Sequence, residues 1–573
     1  MVNDVHVVFG KGPGSEPVAN DAEGHAPMWK KKSIFWELPY CKVLEVRSAI
    51  DVMHLTKNVC VNLLGFMGVY GTTKDTSESR EDMQNLTDDE REHLGPASYA
   101  LTKEEKDSMF ECLNSIKVPS GFSSNIKGII NVPAKKFQKL KSHDCHVLMT
   151  QLLPVALRGI LPQKVRLATV KLCAFHNAIS QKAINPQELA KLQNDVVQCL
   201  VSFELVFSPS FFNIMTHLLV HLVKEIAILG PVFLHNMFPF ERFMGVLKKY
   251  VRNRARPEGS IAKGYGTEEV IEFCVDYIPD LDSIGIPDSR HEERLRGKGI
   301  LGKKKYIAMQ DDDFNKAHYT VLQNSSLVHP YIEAHKQFLQ SEFPEKNESW
   351  IRRQHMDTFG IWLRKKCQGD QSLPGQLYRL AMQPSWHILT YKGYDINGNT
   401  YYTVAQDKNS TNQNSGVRID ATAPRGEKET YYGQVEEIWE LDYGANLKIP
   451  LFRCQWLKMT GGMYTLDKEY GMTIIDLNNT GYKEEPFVLA KDVSQVFYVK
   501  DMSSKPKRGK TNKEPMNDEP RRHIVLSGKA NIVGIEDKLD MSEDYEKEDR
   551  LVPFIVNKDP SIMLNDEETP WSR

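Results

Sequence analysis

The first ordered pattern of hydrophobic and polar positions begins near residue 43. Residues 43–50 form a short apolar-containing stretch that predicts a strand ending at Asp51. Residues 52–67 carry apolar side chains at helical intervals, and Gly68 and Gly71 follow, which predicts a helix closed by glycine. Residues 1–35 are polar and punctuated by Gly and Pro, so a flexible N-terminus is expected there.

Residues 102–229 show helical spacing almost throughout. Thr102 and Glu105 have the spacing of a capping box. Pro154, Pro162 and Pro186 each restart a helix, and the last helix stops at Gly230. No strand pattern interrupts this region, so a single all-helical domain is predicted.

The next helix has an apolar face of Phe240, Phe243, Leu247 and Val251, and a basic stretch follows it. A short helix is predicted for residues 267–277. Residues 285–312 are rich in Gly, Lys and Arg and predict a linker, whereas residues 313–368 predict charged, solvated helices.

After Pro374 the composition shifts to Tyr, Trp, Val, Thr and Gly, which is typical of strands. Asn397-Gly398 between two Tyr-rich runs predicts a hairpin. Alternating apolar positions continue to residue 500 and predict an antiparallel sheet. From Ser503 onward the chain is rich in Lys, Glu, Asp and Pro, and disorder is expected.

Together these patterns predict a multidomain α+β chain with seven segments. They are a flexible N-terminus (1–35), a strand plus helix (36–70), an all-helical domain (71–235), a helix with a basic face (236–285), a linker with charged helices (286–374), a β-rich domain (375–500) and a disordered tail (501–573).

Composition excludes several classes of protein. Of 573 residues, 73 are Lys or Arg and 75 are Asp or Glu, so nucleic acid binding requires a local basic patch. The apolar region 214–240 is broken by His217, His221, Lys224 and Glu225, so no membrane partner is expected. Nine scattered cysteines, never spaced C-x-x-C, favour a reducing compartment over a disulfide framework.

Two carboxylates are candidate metal ligands, and we call Asp51 and Glu241 the acid pair. Asp51 follows the predicted strand, where a carboxylate is well placed for a hard divalent cation. Its alternative role is the N-cap of the next helix, which its position alone favours. Glu241 lies just past Pro239 in a first helical turn, where it would bind metal or simply complement the helix dipole.

Histidine clusters are weaker candidates for a metal site. His217 and His221 are four residues apart, with Glu225 four further on, a spacing that can chelate zinc. The string lacks the Glu of the metalloprotease motif, and packed histidines are the favoured interpretation. Residues 143–146, His-Asp-Cys-His, favour a helix start capped by Ser142 or Asp144.

The strongest phosphate-binding candidate is the basic run, which comprises Lys248, Lys249, Arg252, Arg254 and Arg256. A solvated helix end is an equally good interpretation of these cations. A second cationic stretch, residues 505–510, resembles a nuclear-import signal. The sequence lacks the nucleophile elbow, the P-loop and the Rossmann fingerprint, which leaves hydrolase, NTPase and dehydrogenase readings without support.

Several long strings resemble the transposases of plant CACTA elements, the En/Spm group. They are WKKKSIF from Trp29, AIDVMHLTKNVC from Ala49, LKSHDCHVLM from Leu140, LPVALRGILP from Leu153 and FPFERFMGVLK from Phe238. The β-rich region resembles the downstream part of these proteins through QNSGV from Gln413, YGQVEEI from Tyr432 and LFRCQW from Leu451. The resemblance covers most of residues 29–500.

The resemblance implies a ribonuclease-H-like nuclease core in which Asp, Asp and Glu bind two divalent metals for phosphodiester attack. In this set of three acids, the resemblance implies that Asp51 corresponds to the second Asp and that Glu241 corresponds to the Glu. Residues 36–70 would be a remnant of this core, the helical domain an all-α insertion, and the basic run a DNA-facing surface. Two plant domains of unknown function would follow.

The resemblance places the first Asp on an early strand, and the 28 residues before Trp29 show no such strand around Asp4 or Asp21. We therefore expect a partial core, part of a transposase that is inactive by itself and retains DNA binding. Mg²⁺ or Mn²⁺ would serve any remaining activity. DNA of transposon ends is the expected partner and the nucleus the expected location. The alternative is a domesticated, non-enzymatic protein that binds proteins or chromatin through its β-rich domain.

Overall fold

A computed structural model gives the fold of a large part of the chain. It describes residues 19–20, 23–25, 27, 38–41, 43–72, 75, 97–122, 126–278, 297–307, 312–370, 372–422, 428–444, 447–459, 464–467, 471–504 and 522–528. The chain is mixed α and β, as the sequence predicts. The WKKKSIF string and the cationic stretch 505–510 lie outside the described residues.

Among the described residues, seven helices and their connections form the helical lobe. Its order follows the predicted one, with a π-helical turn, Leu148–Leu152, between the third and fourth helices. The helices are α1 (Val52–Phe66), α2 (Lys103–Ser115), α3 (Ser142–Val147), α4 (Leu153–Ala156), α5 (Gln163–Ile179), α6 (Leu189–Glu204) and α7 (Ile214–Leu229).

Capping residues fix the ends of these helices where the sequence places them. Thr102 and Glu105 form the predicted capping box at α2. Gly68, at φ 72°, follows α1, and Gly230, at φ 86°, ends α7. Because only glycine adopts this backbone conformation without strain, these two positions stop the helices sharply.

Aromatic rings fill the centre of the helical lobe. Phe203 stacks on both Phe207 and Phe211, which are tilted relative to each other, and all three centroids lie 4.8–4.9 Å apart. Phe66 of α1 meets Phe211 edge-on and Tyr99 stacks on Phe207. Such arrangements stabilise beyond the burial of area alone, and they hold α1 against the connection between α6 and α7.

One small sheet interrupts the helical lobe, which the sequence did not predict. Strands β1 (Ile130–Asn131) and β2 (Lys136–Phe137) pair antiparallel over two residues each. Their brevity explains why no alternating pattern reveals them, since period-two spacing needs a longer run to be detected.

The strand predicted for residues 43–50 is wrong. The described residues there form turns and bends, and Val43 and Leu44 are exposed. The backbone N–H of Ile50 instead donates to Glu225 Oε2 of α7 at 2.9 Å. The described elements next to this stretch are helices, which offer it no strand to pair with, and Asp51 does not end a strand.

Two further helices extend from the helical lobe: α8 (Phe238–Lys249) and α9 (Pro257–Tyr277). The helix carrying Glu241 is as predicted, whereas α9 begins ten residues before the predicted start at residue 267. Both helices are described in full, and neither contains a buried residue. They contact each other through Phe243 and Tyr265, whose rings lie 6.4 Å apart.

The predicted linker 285–312 is wrong where it is described. Residues 297–307 contain β3 (Lys298–Leu301) and β4 (Lys304–Ile307). β3 pairs with a Tyr-rich strand at Tyr394, and β4 pairs with the strand containing Leu389. Composition missed them because these solvent-exposed edge strands are rich in Gly and Lys, which are also typical of loops.

The charged region after the linker is helical, as predicted, but it is more than a solvated helix pair. Phe314, Phe359 and Leu363 are fully buried and share a core with Ile388 and Leu441 of the sheet. The helices are α10 (Asp312–Gln323), α11 (His329–Glu342), α12 (Glu348–Cys367) and α13 (Gly375–Ala381). They belong to the β-rich region and cover one side of it.

The β-rich region is built from antiparallel strands, as predicted. The strands are β5 (His387–Tyr391), β6 (Gly393–Ile396), β7 (Asn399–Tyr402), β8 (Gly416–Thr422), β9 (Lys428–Asp442), β10 (Lys448–Leu457), β11 (Tyr464–Leu466), β12 (Thr473–Asp476), β13 (Thr480–Gly481), β14 (Phe487–Leu489), β15 (Ser494–Lys500) and β16 (Arg522–Ser527), with a short helix α14 (Val404–Lys408) after β7. The large sheet runs β11-β12-β16-β15-β8-β9-β10-β13, with β5 on β9, β4 on β5 and β14 on β10.

The hairpin of β6 and β7 confirms the strongest turn prediction. Ile396 pairs with Asn399 across a two-residue loop. That loop is Asn397-Gly398, and both residues have positive φ, at 52° and 66°. Asn and Gly tolerate this conformation best, so the dipeptide selects the turn.

The tail prediction is wrong for residues 522–527. β16 pairs with β12 and β15, and Ile524 is buried. The remaining tail residues lie outside the described part, apart from 501–504 and 528. The stretch HIVL within β16 is the local signal for a strand, and the charged residues around it mask that signal in composition.

The helical lobe shares one core with the β-rich region and its helices α10–α14, which we call the second lobe, although the sequence predicts separate domains. Phe497, Val499 and Ile524 of the sheet pack with the helical lobe, and Phe122 meets Phe497 edge-on at 5.2 Å. Arg158, after α4, also crosses the boundary, donating to Asp501 at 3.1 Å and to Asp467. The boundary is therefore a packed interface rather than a linker.

No ribonuclease-H-like sheet is found among the described residues. Every strand pairing described is antiparallel. Within the same residues no single helix is long and apolar enough to cross a bilayer. The helical segments Ile214–Leu229 and Val232–Lys249 together have the length and composition of a span, but they are bent by 91°.

Candidate functional site

Asp51 is the N-cap of α1. Its Oδ1 accepts a hydrogen bond from the backbone N–H of His54 at 3.1 Å, which satisfies one of the free donors in the first turn. Its Oδ2 lies 2.6 Å from His54 Nδ1. The capping interpretation of Asp51 is therefore confirmed, and both carboxylate oxygens contact the same residue.

His54 joins the two members of the acid pair. On the far side of its ring, Nε2 lies 3.7 Å from Glu241 Oε1 of α8. The imidazole therefore stands between two carboxylates from elements 190 residues apart in sequence. All three side chains are partly exposed, so solvent screens their interaction and lowers its contribution to stability.

Local sequence places Glu241 at this position. Pro239 sits in the first turn of α8, where its missing N–H costs nothing, and Glu241 follows within that turn. The Glu241 N–H donates to Met237 O at 2.9 Å. A carboxylate here complements the positive end of the helix, so the dipole interpretation holds beside the contact with His54.

The acid pair does not fit a shared divalent ion in this arrangement. Mg²⁺ requires oxygen ligands at about 2.0–2.1 Å in octahedral geometry. Here an imidazole separates the two carboxylates, and Asp51 uses both oxygens on His54. Among the described residues, no group of three or more His, Cys, Asp or Glu side chains is arranged to hold a metal.

His54 is the functional candidate that the sequence interpretation missed. It lies within the AIDVMHLTKNVC string, three residues after Asp51, which is one helical turn along the same face. That spacing is the signal that could have identified it. Its contact with Glu241 depends on tertiary structure, and no local pattern predicts it.

Among the described residues, no third side chain joins His217 and His221 to form the zinc site that their spacing suggests. Their Nε2 atoms lie 3.0 Å apart on the exposed face of α7. Glu225, the third member of the spacing, instead accepts the N–H of Ile50. It thereby anchors the chain where α1 begins.

Residues 143–146 form a helix start, as predicted, with a different capping pattern. Lys141 is the N-cap residue, and its backbone N–H donates to Asp144 Oδ2 at 2.9 Å. His143 Nε2 lies 3.1 Å from Asp144 Oδ1. The carboxylate therefore serves the helix end, as in the second half of a capping box.

A narrow cleft lies beside the acid pair. It is lined by Val52 and Met53 of α1, Phe238 of α8, and His146, Ser180 and Asn236. Burial lowers the pKa of His146 to about 3, so this imidazole is neutral at physiological pH. Its ring meets Phe238 edge-on at 6.3 Å, which fixes the base of α8 against the helical lobe.

The basic run is exposed throughout its length. Lys248 and Lys249 occupy the last turn of α8, Arg252 and Arg254 the connection to α9, and Arg256 its N-cap. Cations in the last turn also complement the negative end of α8. The run lies on the same helix pair as Glu241, so one exposed hairpin carries an acid of the pair and all five cations.

Loss of the Asp51 cap gives a measurable change in stability. We expect Asp51→Ala to lower the free energy of unfolding by about 1 kcal/mol, because the first turn of α1 loses its acceptor. Asp51→Asn keeps a side-chain acceptor at the N-cap and serves as the control. Its free energy of unfolding should change by only a few tenths of a kcal/mol. Urea unfolding measures both, and equal losses in the two variants would contradict the capping role.

Comparison with known families identifies two regions. A model described as a domain of unknown function (DUF4218) matches residues 179–292, which contain α6–α9, Glu241 and the basic run. A second, also of unknown function (DUF4216), matches residues 439–508, from the end of β9 through β15. Both domains are typical of plant transposase-like proteins. Searches of curated proteins and of solved structures gave no match.

Proposed function

We propose that this chain is a transposon-derived protein of the CACTA (En/Spm) type that binds DNA through the basic run. Three features support the proposal. Long strings resemble those transposases, two matched domains are typical of plant transposase-like proteins, and five exposed cations project from one helix pair. The nucleus is the location that such a role implies.

The observation that carries the proposal is the meeting of Asp51 and Glu241 at His54. The resemblance assigns these two acids to one nuclease site, and they are 190 residues apart in sequence. Asp51 caps α1 and Glu241 lies in the first turn of α8, and neither of these helix-end roles by itself brings the two acids to one imidazole. The neighbouring basic run then supplies the phosphate contacts that a DNA-binding site beside them requires.

The same geometry supports binding without cleavage by this chain alone. A two-metal reaction needs carboxylate oxygens free to coordinate both ions. In this arrangement Asp51 is occupied by His54 and by the first turn of α1. Mg²⁺ or Mn²⁺ would have to displace the imidazole before the acid pair could act on a phosphodiester.

A combined binding and cleavage assay tests the proposal. The full chain is incubated with transposon-end duplex DNA and Mg²⁺ or Mn²⁺, and the products are separated on native and denaturing gels. We expect a retarded complex and intact strands. Strand cleavage that disappears in Asp51→Ala would contradict the non-cleaving role, and absence of any complex at low salt would contradict DNA binding.

A further inference from the structure

Helix α11 packs on the second lobe through a short buried face. The helix is described in full, and its buried residues are Ile332, His335 and Leu339. Their spacing of three and four residues puts them on one face of the helix. A titratable imidazole therefore lies at the centre of the contact, with one buried apolar side chain on either side of it. So small a buried face places α11 among the elements that open most easily.

His335 meets a second buried histidine across this contact. Its Nδ1 lies 2.8 Å from Nδ1 of His355 on α12, and both residues are 1% exposed. A hydrogen bond between two imidazoles needs a proton on one Nδ1 and a lone pair on the other. At least one of the two rings must therefore be neutral. Two imidazolium rings would turn two N–H groups of like charge toward each other, which breaks the contact.

The pair lies among aromatic rings, away from solvent. The ring centroids of Trp362 and Phe359 lie 4.9 Å and 5.6 Å from that of His335. Nε2 of His355 is buried and has no hydrogen-bond partner among the described residues. Burial lowers the pKa of both histidines, and the approach of His335 helps to lower the pKa of His355 to about 4. Both rings are therefore neutral at pH 7.

The charged and titratable groups near the pair do not offset its burial. Glu333 and Lys336 of α11 form an ion pair at 2.9 Å, and their charges shift the pKa of His355 in opposite directions. Tyr319 of α10 places its ring 5.8 Å from that of His355. Burial raises the pKa of Tyr319 to about 12, so this phenol stays neutral in acid. Two further charges near Tyr319 pair with each other, Arg352 and Glu485.

We propose that the His335–His355 pair is an acid-operated latch that holds α11 on α12 at neutral pH and releases it when both rings take up protons. Release uncovers Phe359 and Trp362, whose rings contact His335 in the closed state. Helix α12 stays in place because its own buried face is longer and is partly shared with the core of the sheet. Besides His355, that face comprises Ile351, Phe359, Leu363 and Cys367.

The direction of the pH dependence follows from the lowered pKa values. In the released helix both histidines return toward the ordinary pKa of about 6.5, so the released state binds more protons than the closed state. The closed contact is therefore fully stable above this pH and weakens as the pH falls toward the pKa of about 4 that His355 has when buried. Each histidine raises the opening constant by up to about 10-fold per pH unit, and the pair by up to about 100-fold.

Hydrogen exchange of the full chain tests the latch. Peptides from α11, α12 and α7 are followed by mass spectrometry between about pH 7 and pH 5, and the rates are corrected for the intrinsic pH dependence of exchange. We expect the opening constant of α11 to rise at least about 100-fold over this range, while α12 and α7 stay protected. An opening constant of α11 that does not change with pH, or release of α12 together with α11, would overturn the proposal.

Asparagine variants show whether the two imidazoles carry the effect. The amide of Asn places a polar atom near the position of Nδ1 and does not titrate. His335→Asn with His355→Asn should remove the pH dependence of α11, and each single variant should leave about 10-fold per pH unit. His329→Asn, at the exposed start of the same helix, is the matched control and should keep the wild-type slope. A double variant that keeps the full slope would overturn the latch. If the double variant does not fold, single variants that keep the full slope overturn it equally.

Discussion

Neutralising the basic run should reduce affinity for duplex DNA about 10³–10⁴-fold near physiological salt. Changing all five cations to Gln removes up to five phosphate contacts, and each contact contributes about 0.9 to the slope of log K against log salt. The slope should therefore fall in magnitude by about 4.5. Fluorescence anisotropy with a labelled duplex, repeated over a range of KCl concentrations, measures both quantities.

The control for this variant changes the same net charge elsewhere. Five exposed cations of the second lobe, near α11 and α12, are replaced by Gln: Lys346, Arg353, Arg364, Lys365 and Lys366. We expect less than a fivefold loss of affinity from this control. If both variants lose affinity equally, total charge rather than the α8–α9 hairpin governs binding. If neither loses affinity, protein partners become the better interpretation of the chain.

Replacing Arg158 by Met should lower the free energy of unfolding by about 3–5 kcal/mol, because the change removes a guanidinium from two carboxylates with little exposure to solvent. Asp501 is 1% exposed and Asp467 13%. Arg158 also donates to Ser503 at 3.3 Å, so its contacts join the helical lobe to the residues that follow β11 and β15. Chemical unfolding monitored by Trp fluorescence measures the loss.

Two comparisons show whether the buried carboxylates cause this loss. Adding Asp467→Asn and Asp501→Asn to Arg158→Met should recover most of the stability, since no buried charge then remains there. Arg352→Met, which breaks the exposed pair with Glu485, should cost less than about 1 kcal/mol. Similar losses for Arg158→Met and Arg352→Met would contradict the account of the lobe interface.

Local signals in the sequence predicted most helices and the best-defined turn. The capping box of Thr102 and Glu105, the glycine at 230 and the Asn397-Gly398 turn are all formed. Each depends on a few neighbouring residues, so the pattern carries enough information by itself. The strand predicted before Asp51 failed because a strand needs a partner strand, and the backbone N–H of Ile50 instead donates to Glu225 of helix α7.

Long-range contacts account for what the sequence did not predict. The basic run and Glu241 were identified from their local sequence. Their position near Asp51 depends on the contact between His54 and Glu241, which no local spacing predicts. The shared core of the two lobes was likewise hidden, because Phe497 and Val499 have the same alternating pattern whether they face a helix or another sheet. Ile524 was missed for a different reason, since it lies in the predicted disordered tail. Edge strands β3 and β4 were missed because their exposed Lys and Gly residues are typical of loops.

The most direct test of the central claim is photocrosslinking from position 240. Phe240 adjoins Glu241 and is 57% exposed, so the photoreactive analogue p-benzoylphenylalanine replaces it conservatively. The account predicts crosslinks to duplex DNA from this position, their loss when the basic run is neutralised, and none from the same analogue at Phe338 of α11. Bound DNA that crosslinks equally at both positions, or only at Phe338, would contradict a DNA path that runs from the basic run past the acid pair.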